Sequence, residues 1–408
     1  MKPATLIAGT AVAPRPQGAL PERLLYSVSA RIGGTGLDSV AHQTLIGAER
    51  GGFLARAIAW DNRQTDVPAS RIRSLRWHPA RLLSFLDAPH YYGAKKQYLD
   101  WITSHELASG RYDFFHGWSG DSVRTLRVAK RLGIPTLLEI PTWHRNKGKI
   151  KPSYTKSERE IRNAPWRERL LHRLLVSRQA IIEEYELADV LLVQSTKAAD
   201  TFLAAGIPAH KLFMVERAAD VGKFHPGPPP AKFRVLFVGA LIERKGVHIL
   251  LEAWRKLGLK NAELVLAGTV HDEIKPWIDR FGGPDVLTPG FAGDIAELYR
   301  SASIHVLPSL CEGSAKVVFE AAASGLAQVM TRESGDFVVD GVHGRIVPAE
   351  NVDALADAIR ELHDDPGRTA RMGAAARRLA EDRYTWDHFR ARMLDAYRLA
   401  SERAGSAH

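Results

Sequence analysis

Apolar runs of strand length recur along this chain, and segments with a helical pattern lie between them. They fall into two sets, 24–29, 112–116, 136–140 and 190–194, then 234–238, 262–267, 304–307 and 327–330. Continuous apolar runs are typical of parallel strands that helices cover on both faces. We therefore predict an α/β fold with two Rossmann-like, doubly wound parallel-sheet domains facing each other across a cleft.

A proline-rich stretch, 224–230, separates the two sets. Its four prolines fit neither a helix interior nor a central strand, so we predict a stiff connector. The predicted domains are 1–225 and 226–385, each long enough to bury its own core. The remainder, 386–408, is predicted as a helix. Because ligands of open α/β sheets bind outside the carboxyl ends of the strands, the cleft is the expected site.

Composition narrows the class of protein. The chain has 408 residues, of which 45% are hydrophobic and 25% charged, as in ordinary globular proteins. No apolar run is long enough to span a bilayer. The single cysteine, Cys311, excludes an intramolecular disulfide and fits a reducing compartment, so we expect a cytoplasmic protein.

The charge balance favours anionic partners. The formal net charge is +10, and no zinc-finger spacing or aromatic-basic RNA pattern accompanies it, so nucleic acid is not an expected partner. Basic residues concentrate in the segment 145–175, interleaved with Trp166 and several leucines. This segment is either a basic amphipathic helix that docks on an anionic membrane surface, making the protein peripheral there, or a solvated face over a core stripe.

The stretch 306–325 carries the most chemistry. An apolar strand end leads through a Pro-Ser turn to Glu312, and a helix carrying Glu320 follows. The first N–H groups of a helix lack partners within it and lie at its positive pole, which suits an anion or a sugar hydroxyl. The amides and side chains expected there belong to Gly313, Ser314, Ala315 and Lys316. Two carboxylates about two turns apart can hold hydroxyls of a sugar and a ribose. The alternative is a surface helix with two solvated acids.

A second string, 237–246, follows another strand and precedes a helix. Gly239 allows the chain to turn sharply. Arg244 and Lys245 would then lie at a helix N-terminus, where two cations can neutralise a departing diphosphate. The alternative is that both cations are simply exposed.

These strings together resemble the retaining GT-B glycosyltransferases of family 4, also called group 1. The resemblance extends from about 24 to 397 and is strongest over 239–348, which includes the string 332–348. It implies a GT-B fold in which the C-terminal helix crosses back onto the first domain. It also implies transfer of a hexose-type sugar from a UDP- or GDP-linked donor to a carbohydrate or lipid-linked acceptor, in bacterial polysaccharide or glycolipid synthesis.

The resemblance also implies roles for single residues. Glu320 would hold the ribose, and Glu312 with the amides after it would orient the sugar. Lys245 matches the lysine of the family's Gly-x-Leu-x-x-x-Lys-Gly string. Many members have arginine directly after the first glycine, where this chain has Ala240, so we expect Arg244 to substitute. The family's Glu-Gly-Phe-Gly is here Glu-Gly-Ser-Ala, followed by Lys316.

Three further predictions concern the first domain. Gly33, Gly34, Thr35 and Gly36 match the family's Gly-Gly loop, which faces the donor phosphates and the acceptor. His144 is the nearest match to a family histidine near the donor sugar, although Pro141 occupies its commonest position. His116, at the predicted end of the preceding strand, is a second catalytic candidate.

We predict no metal and no cofactor, because the chain has no Asp-x-Asp motif and no His/Cys grouping with ligand spacing. No side chain is an obvious nucleophile. Two other interpretations stay open: another GT-B enzyme, such as an epimerase or a phosphorylase, and a non-catalytic protein that binds anionic surfaces.

Overall fold

The computed structural model describes residues 16–146, 163–290 and 293–406, which form two compact units. Of these residues, unit 1 contains those up to Val193, Ala199–Val215 and those from Arg390 onward, and unit 2 contains Gln194–Ala198 and the described part of Glu216–Phe389. The long segment of unit 2 thus begins at Glu216, earlier than the predicted boundary after residue 225.

Unit 1 is built on a seven-stranded parallel sheet with strand order β3-β2-β1-β4-β5-β6-β7. Its strands are β1 (Leu24–Ile32), β2 (Leu54–Asn62), β3 (Ile72–Ser74), β4 (Phe114–Trp118), β5 (Thr136–Glu139), β6 (Val190–Val193) and β7 (Leu212–Met214). Its helices are α1 (Leu37–Arg50), α2 (Ala88–Leu107), α3 (Val123–Leu132), α4 (Trp166–His172), α5 (Arg178–Leu187) and α6 (Thr196–Leu203), the last of which begins in unit 2. Short 3-10 helices cover Ala69–Arg71, Pro79–Leu83 and Ala209–Lys211.

Unit 2 repeats the plan with a six-stranded parallel sheet, in the order β10-β9-β8-β11-β12-β13. Its strands are β8 (Phe233–Val238), β9 (Ala262–Ala267), β10 (Val286–Gly290), β11 (Ile304–Leu307), β12 (Ala327–Thr331) and β13 (Gly344–Val347). Its helices are α7 (Val247–Leu257), α8 (Lys275–Phe281), α9 (Ile295–Arg300), α10 (Lys316–Ala323), α11 (Val352–Asp364) and α12 (Pro366–Arg383). Short 3-10 helices cover Glu243–Lys245 and Arg332–Ser334, and the last helix, α13 (Trp386–Ser406), begins in unit 2 and continues in unit 1.

Both sheets confirm the predicted doubly wound architecture. The strand order reverses between β1 and β4 in unit 1 and between β8 and β11 in unit 2. At such a switch point the loops leaving two neighbouring strands diverge to opposite faces, which opens a crevice for a ligand. The loops that follow β8 and β11 are the two strings that the sequence singles out in the second domain.

The proline-rich stretch does not lie at the boundary between the units. Phe224 is buried in the core of unit 2, in edge contact with the ring of Tyr299. Gly227 lies so close to α9 that a Cβ there would be 2.5 Å from the Arg300 carbonyl oxygen. The prolines therefore pack on the surface of unit 2, and the prediction of a connector between domains is wrong.

Helix α13 is anchored in unit 1 by one buried face. Phe389, Met393 and Tyr397 on this face are buried, as the sequence pattern predicts, whereas Leu394 is half-buried. The Tyr397 hydroxyl lies 2.8 Å from His116 Nδ1 on β4, and its ring contacts Phe53 and Phe114.

Three carboxylates are buried around the N-terminus of α3 in unit 1. Glu184 accepts hydrogen bonds from the amides of Gly120, at 2.6 Å, and Ser122, at 2.8 Å. Asp100 accepts from the amides of Arg124 and Thr125. The third, Asp121, is 4% exposed. Burial raises the pKa of Glu184 to about 8 and that of Asp121 to about 7, and it also raises the pKa of Asp100.

These shifts predict that unit 1 loses stability as the pH rises. Folded Glu184 holds its proton to about pH 8, whereas the unfolded side chain loses it near its ordinary pKa of about 4.3. Between these values the folded state binds more protons, so the free energy of unfolding falls with increasing pH. We expect Glu184→Gln to flatten this dependence, measured as urea unfolding at several pH values between 5 and 9. An unchanged slope in the variant would show that Glu184 ionises normally in the folded chain.

Candidate functional site

The loops after β8 and β11 are held against each other in unit 2. The amide of Leu310 donates to the Arg244 carbonyl oxygen at 2.8 Å, and Arg244 Nη1 donates to the Cys311 carbonyl oxygen at 2.5 Å. Gly246, with φ of +71°, lies so close to Pro308 that a Cβ would be 2.0 Å from the proline carbonyl oxygen. The two predicted strings therefore form one structural feature at the switch point of the sheet.

Glu312 lies between the two predicted cations. Arg244 Nη1 and Lys245 Nζ are each 2.9 Å from Glu312 Oε1, although neither N–H is aligned for a hydrogen bond to that oxygen. The side chains of Lys245 and Glu312 are 14% exposed, and that of Arg244 is 43% exposed. Gly239 lies beside Lys245, because a Cβ there would be 3.3 Å from Nζ. Two cations against one carboxylate leave an excess positive charge, which favours an anion at this position.

Glu320 lies on α10, the helix that follows Glu312 in the chain. Its carboxylate has two partners of its own. Lys316 Nζ is 2.6 Å from Oε1, and the Tyr299 hydroxyl donates to Oε2 at 3.1 Å. Burial and the Glu320 charge raise the pKa of Tyr299 well above its ordinary value, so this hydroxyl stays a donor. Sequence reasoning assigned Lys316 to the ligand, but in this structure its ammonium group pairs with Glu320.

The loop that opens α10 is fixed by residues that sequence reasoning did not select. Ser195 Oγ donates to the Gly313 carbonyl oxygen at 2.5 Å, and the Ala315 amide donates to the Ser334 carbonyl oxygen at 3.1 Å. The amide of Ala315 is thus already satisfied, so only part of the predicted set of open amides is available. The amide of Ser314 has no acceptor among the residues that the structure describes.

Hydroxyl groups at the end of β12 and in the 3-10 helix that follows it hold the same loop. Thr331 Oγ1 donates to the Ser309 carbonyl oxygen at 2.6 Å, and Ser334 Oγ donates to the Leu307 carbonyl oxygen at 2.8 Å. The Thr196 amide donates to Asp336 at 2.5 Å. These contacts join positions far apart in the chain, so no local pattern in the sequence predicts them.

The predicted glycine loop lies in unit 1, between β1 and α1. Gly33 and Gly34 follow the strand, and Gly36 is the N-cap of α1. A Cβ at Gly34 would be 2.3 Å from Asp38 Oδ2, so a side chain at this position would require Asp38 to move. Asp38 accepts a hydrogen bond from the Arg31 amide at 3.2 Å, which closes the loop on itself.

His116 lies inside the core of unit 1. Strand β4 continues to Trp118, so His116 is in the middle of the strand and not at its end. It is 0% exposed, packs edge-on against Tyr26, and burial lowers its pKa to about 3. The ring is neutral and unreachable for a bound molecule, which gives His116 a structural role and removes it from the catalytic candidates.

His144 is also buried, with an exposed fraction of 2%. Its amide donates to Thr201 Oγ1 at 3.0 Å, and its ring packs against Tyr185 and Phe202, with centroids 5.1 and 5.0 Å away. The Asn146 amide donates to His144 Nδ1 at 3.1 Å. Its predicted contact with the donor sugar stays a prediction.

Two kinds of feature are absent from the described ranges. No group of three or more His, Cys, Asp or Glu residues there is placed to hold a metal ion. Within the same ranges, no helix combines the length and the apolar character needed to cross a membrane. The part of the predicted membrane segment at 147–162 lies outside the described residues.

Known proteins resemble this chain in sequence and in fold. Residues 232–365 match the family model of glycosyl transferases group 1. D-inositol 3-phosphate glycosyltransferase of Arthrobacter sp. (strain FB24) is 31% identical over 195 residues, 45% of this chain and 46% of that protein, so the match spans about half of the relative's length. The protein of the same name from Paenarthrobacter aurescens (strain TC1) is 25% identical over 359 residues, 82% of this chain and 84% of that protein.

The fold has solved counterparts. HepE of Anabaena, solved in complex with UDP-glucose, superposes with a TM-score of 0.65 at 18% identity, covering 92% of this chain and 98% of that one. The family match lies on the unit that carries the two strings. Residues 232–365 therefore resemble the group 1 glycosyltransferases, and the two doubly wound sheets have the GT-B fold.

Proposed function

We propose that this protein transfers a sugar from a nucleoside-diphosphate sugar to an acceptor hydroxyl, with retention of the anomeric configuration. The observation that carries the proposal is the cation pair Arg244 and Lys245 at the switch point of unit 2, joined by two hydrogen bonds to the loop that bears Glu312. HepE, which shares the fold, binds UDP-glucose. A diphosphate needs this kind of cationic, partly desolvated position.

In the proposed reaction the bond between the anomeric carbon and the phosphate oxygen breaks, and the acceptor oxygen bonds to that carbon from the same face. The acceptor proton passes to the leaving phosphate. Negative charge grows on the diphosphate as the bond breaks, and Lys245 and Arg244 stabilise that charge. We propose no side-chain nucleophile, no metal and no cofactor for this reaction.

Donor binding would change the surroundings of Glu320. Its carboxylate now pairs with Lys316 and Tyr299. Ribose hydroxyls held by Glu320 would share its two oxygens with Lys316 Nζ or displace it, because each carboxylate oxygen can accept more than one hydrogen bond. The Trp386 ring lies 5.8 Å from Lys316 Nζ and gives the ammonium group a second partner. We propose that Lys316 leaves Glu320 when the donor binds and remains near the phosphates.

The acceptor and the location are proposed from the family resemblance. The two relatives described above are D-inositol 3-phosphate glycosyltransferases. We propose a carbohydrate or lipid-linked acceptor, in bacterial polysaccharide or glycolipid synthesis. We also propose that the protein works in the cytoplasm, at the inner face of the plasma membrane, with the basic segment 145–175 near anionic lipid.

The first test is donor binding. We expect UDP or GDP to raise the melting temperature, because a ligand that binds only the folded state stabilises it by about 2.7 kcal/mol at a hundredfold excess over Kd. ADP and TDP serve as comparison ligands. Glu320→Gln is expected to reduce the shift, since the neutral amide accepts ribose hydroxyls less strongly.

The matched control is Glu263→Gln, which removes a carboxylate that pairs with Arg234 at 2.5 Å in the same unit, near the start of β8. Its shift with the nucleotide should equal that of the wild type. Absence of a shift with all four diphosphates in the wild type would sink the proposed donor site. Retention is tested by ¹H NMR of the sugar released when water replaces the acceptor.

A further inference from the structure

Unit 1 exposes three large apolar side chains within one short segment before α2. Trp77 is 80% exposed, Leu82 is 81% exposed and Phe85 is 80% exposed. We call these three residues the apolar ridge. Exposed apolar residues that cluster are typical of surfaces that contact a partner or a membrane, whereas single ones are ordinary.

The ridge is held outward by an anchored backbone. Leu75, His78 and Ala80 from the same segment are buried, and the His78 ring meets Trp60 edge-on at 4.7 Å. The short 3-10 helix Pro79–Leu83 packs against α2. Because these three residues are fixed in the core, the side chains of the ridge stay exposed to water. Exposure of apolar surface is unfavourable, and a partner that covered the ridge would remove this free-energy cost.

Cations accompany the ridge. The segment 63–86 contains five arginines and one aspartate. Arg63 and Arg73 pair with Asp61 and Glu106, but Arg76 and Arg81 are exposed and have no ion-pair partner among the described residues. The Arg81 guanidinium lies 4.8 Å from the Trp77 ring. Arginine beside exposed tryptophan and leucine is the composition of a membrane-interface segment, with apolar groups for the acyl boundary and cations for lipid phosphates.

A second segment with exposed apolar side chains is helix α4, and the residues that follow it also contact α2. Helix α4 exposes Trp166 and Leu170, 62% and 54%, next to three exposed arginines at 167, 169 and 173. Gln97 Nε2 on α2 donates to the Arg173 carbonyl oxygen at 2.8 Å, and Gly93 leaves no room for a Cβ against the Leu174 carbonyl oxygen. Helix α2 thus contacts both the 3-10 helix of the ridge segment and the residues that follow α4.

We propose that the apolar ridge inserts into the headgroup region of a bilayer that contains anionic lipid, while Arg76 and Arg81 contact lipid phosphates. This inference rests on the membrane location proposed above and not on glycosyl transfer. It places the primary contact at 76–85, a different segment from the one that sequence reasoning selected. The charge of the surface commits it to anionic lipid, since each cation near such a membrane adds to the attraction.

The test is cosedimentation of the full chain with vesicles of phosphatidylcholine alone or with phosphatidylglycerol added. We expect binding to the anionic vesicles, reduced on the order of tenfold or more in Trp77→Ser/Leu82→Ser/Phe85→Ser. The matched control, Leu132→Ser/Val339→Ser/Val342→Ser, removes three other exposed apolar residues and should bind like the wild type. At low salt, where screening is weakest, Arg76→Gln/Arg81→Gln should bind the anionic vesicles more weakly than the wild type does.

Tryptophan quenching by brominated lipid separates insertion from mere attraction. We expect quenching in the wild type that Trp77→Phe reduces. Unchanged vesicle binding in the triple ridge variant, or equal binding to neutral and anionic vesicles, would overturn the proposal. A wild type that binds no vesicle overturns it too, and a UDP-induced thermal shift in that same sample would show that the donor site survives its failure.

Discussion

Lys245→Ala is expected to lower kcat by about 10²- to 10³-fold, the usual loss when one preorganised group that meets developing charge is removed. Lys245 is the better placed of the two cations, because its side chain is 14% exposed and that of Arg244 is 43% exposed. A cation excluded from water stabilises charge more strongly than an exposed one. We therefore expect a smaller loss for Arg244→Ala.

The measurement is release of the nucleoside diphosphate under saturating donor, with KM determined separately. Because the charge develops only as the bond breaks, kcat should fall more than the affinity for the donor. Lys260→Ala is the matched control, since Lys260 is an exposed cation of the same unit just before β9, at the opposite end of the strands from the site. Equal kcat values for Lys245→Ala and Lys260→Ala would remove Lys245 from the reaction.

The central strands were predictable because a strand buried on both faces has a nearly continuous run of apolar residues. Strands β9 and β11 have the predicted bounds, and both consist of nearly continuous apolar residues. The missed strands lie at or near sheet edges or carry charges. Strand β3 has three residues, two of them exposed, and β10 is largely exposed, so neither carries an apolar signal. Strand β2 is interrupted by Arg56.

The site shows the same division between local and long-range information. The meeting of Lys245 with Glu312 follows from the switch point, since β8 and β11 are neighbours in the sheet. The pair of Lys316 and Glu320 could also have been read from its spacing, because side chains four residues apart on a helix are adjacent. Tyr299 reaches Glu320 from another helix, and no local pattern contains that contact.

The prediction that His116 ends its strand was wrong for a physical reason. A residue at the carboxyl end of a parallel strand points to a ligand only if the strand stops there. Strand β4 runs two residues past His116, through Gly117 and Trp118, so the ring stays between the sheet and the helices that cover it. The apolar run 112–116 marked the strand but not its last residue.

Gly246→Ala is expected to destabilise the protein strongly, by about 3 kcal/mol or more. Two costs add. A residue with a side chain at φ of +71° loses about 1–2 kcal/mol relative to glycine. The new Cβ would also be 2.0 Å from the Pro308 carbonyl oxygen, a backbone atom that cannot rotate away. The loops after β8 and β11 must then separate, so binding of the nucleoside diphosphate should fall as well.

Gly258→Ala isolates the second cost. Gly258 has a similar conformation, φ of +56°, but no atom within 4 Å of the place where its Cβ would stand. It should lose only the conformational part, about 1–2 kcal/mol, and bind the nucleotide normally. Urea unfolding and nucleotide-induced thermal shifts of both variants make the comparison. If both lose the same stability, the two loops tolerate separation, and the close contact between Gly246 and Pro308 does not hold the donor site together.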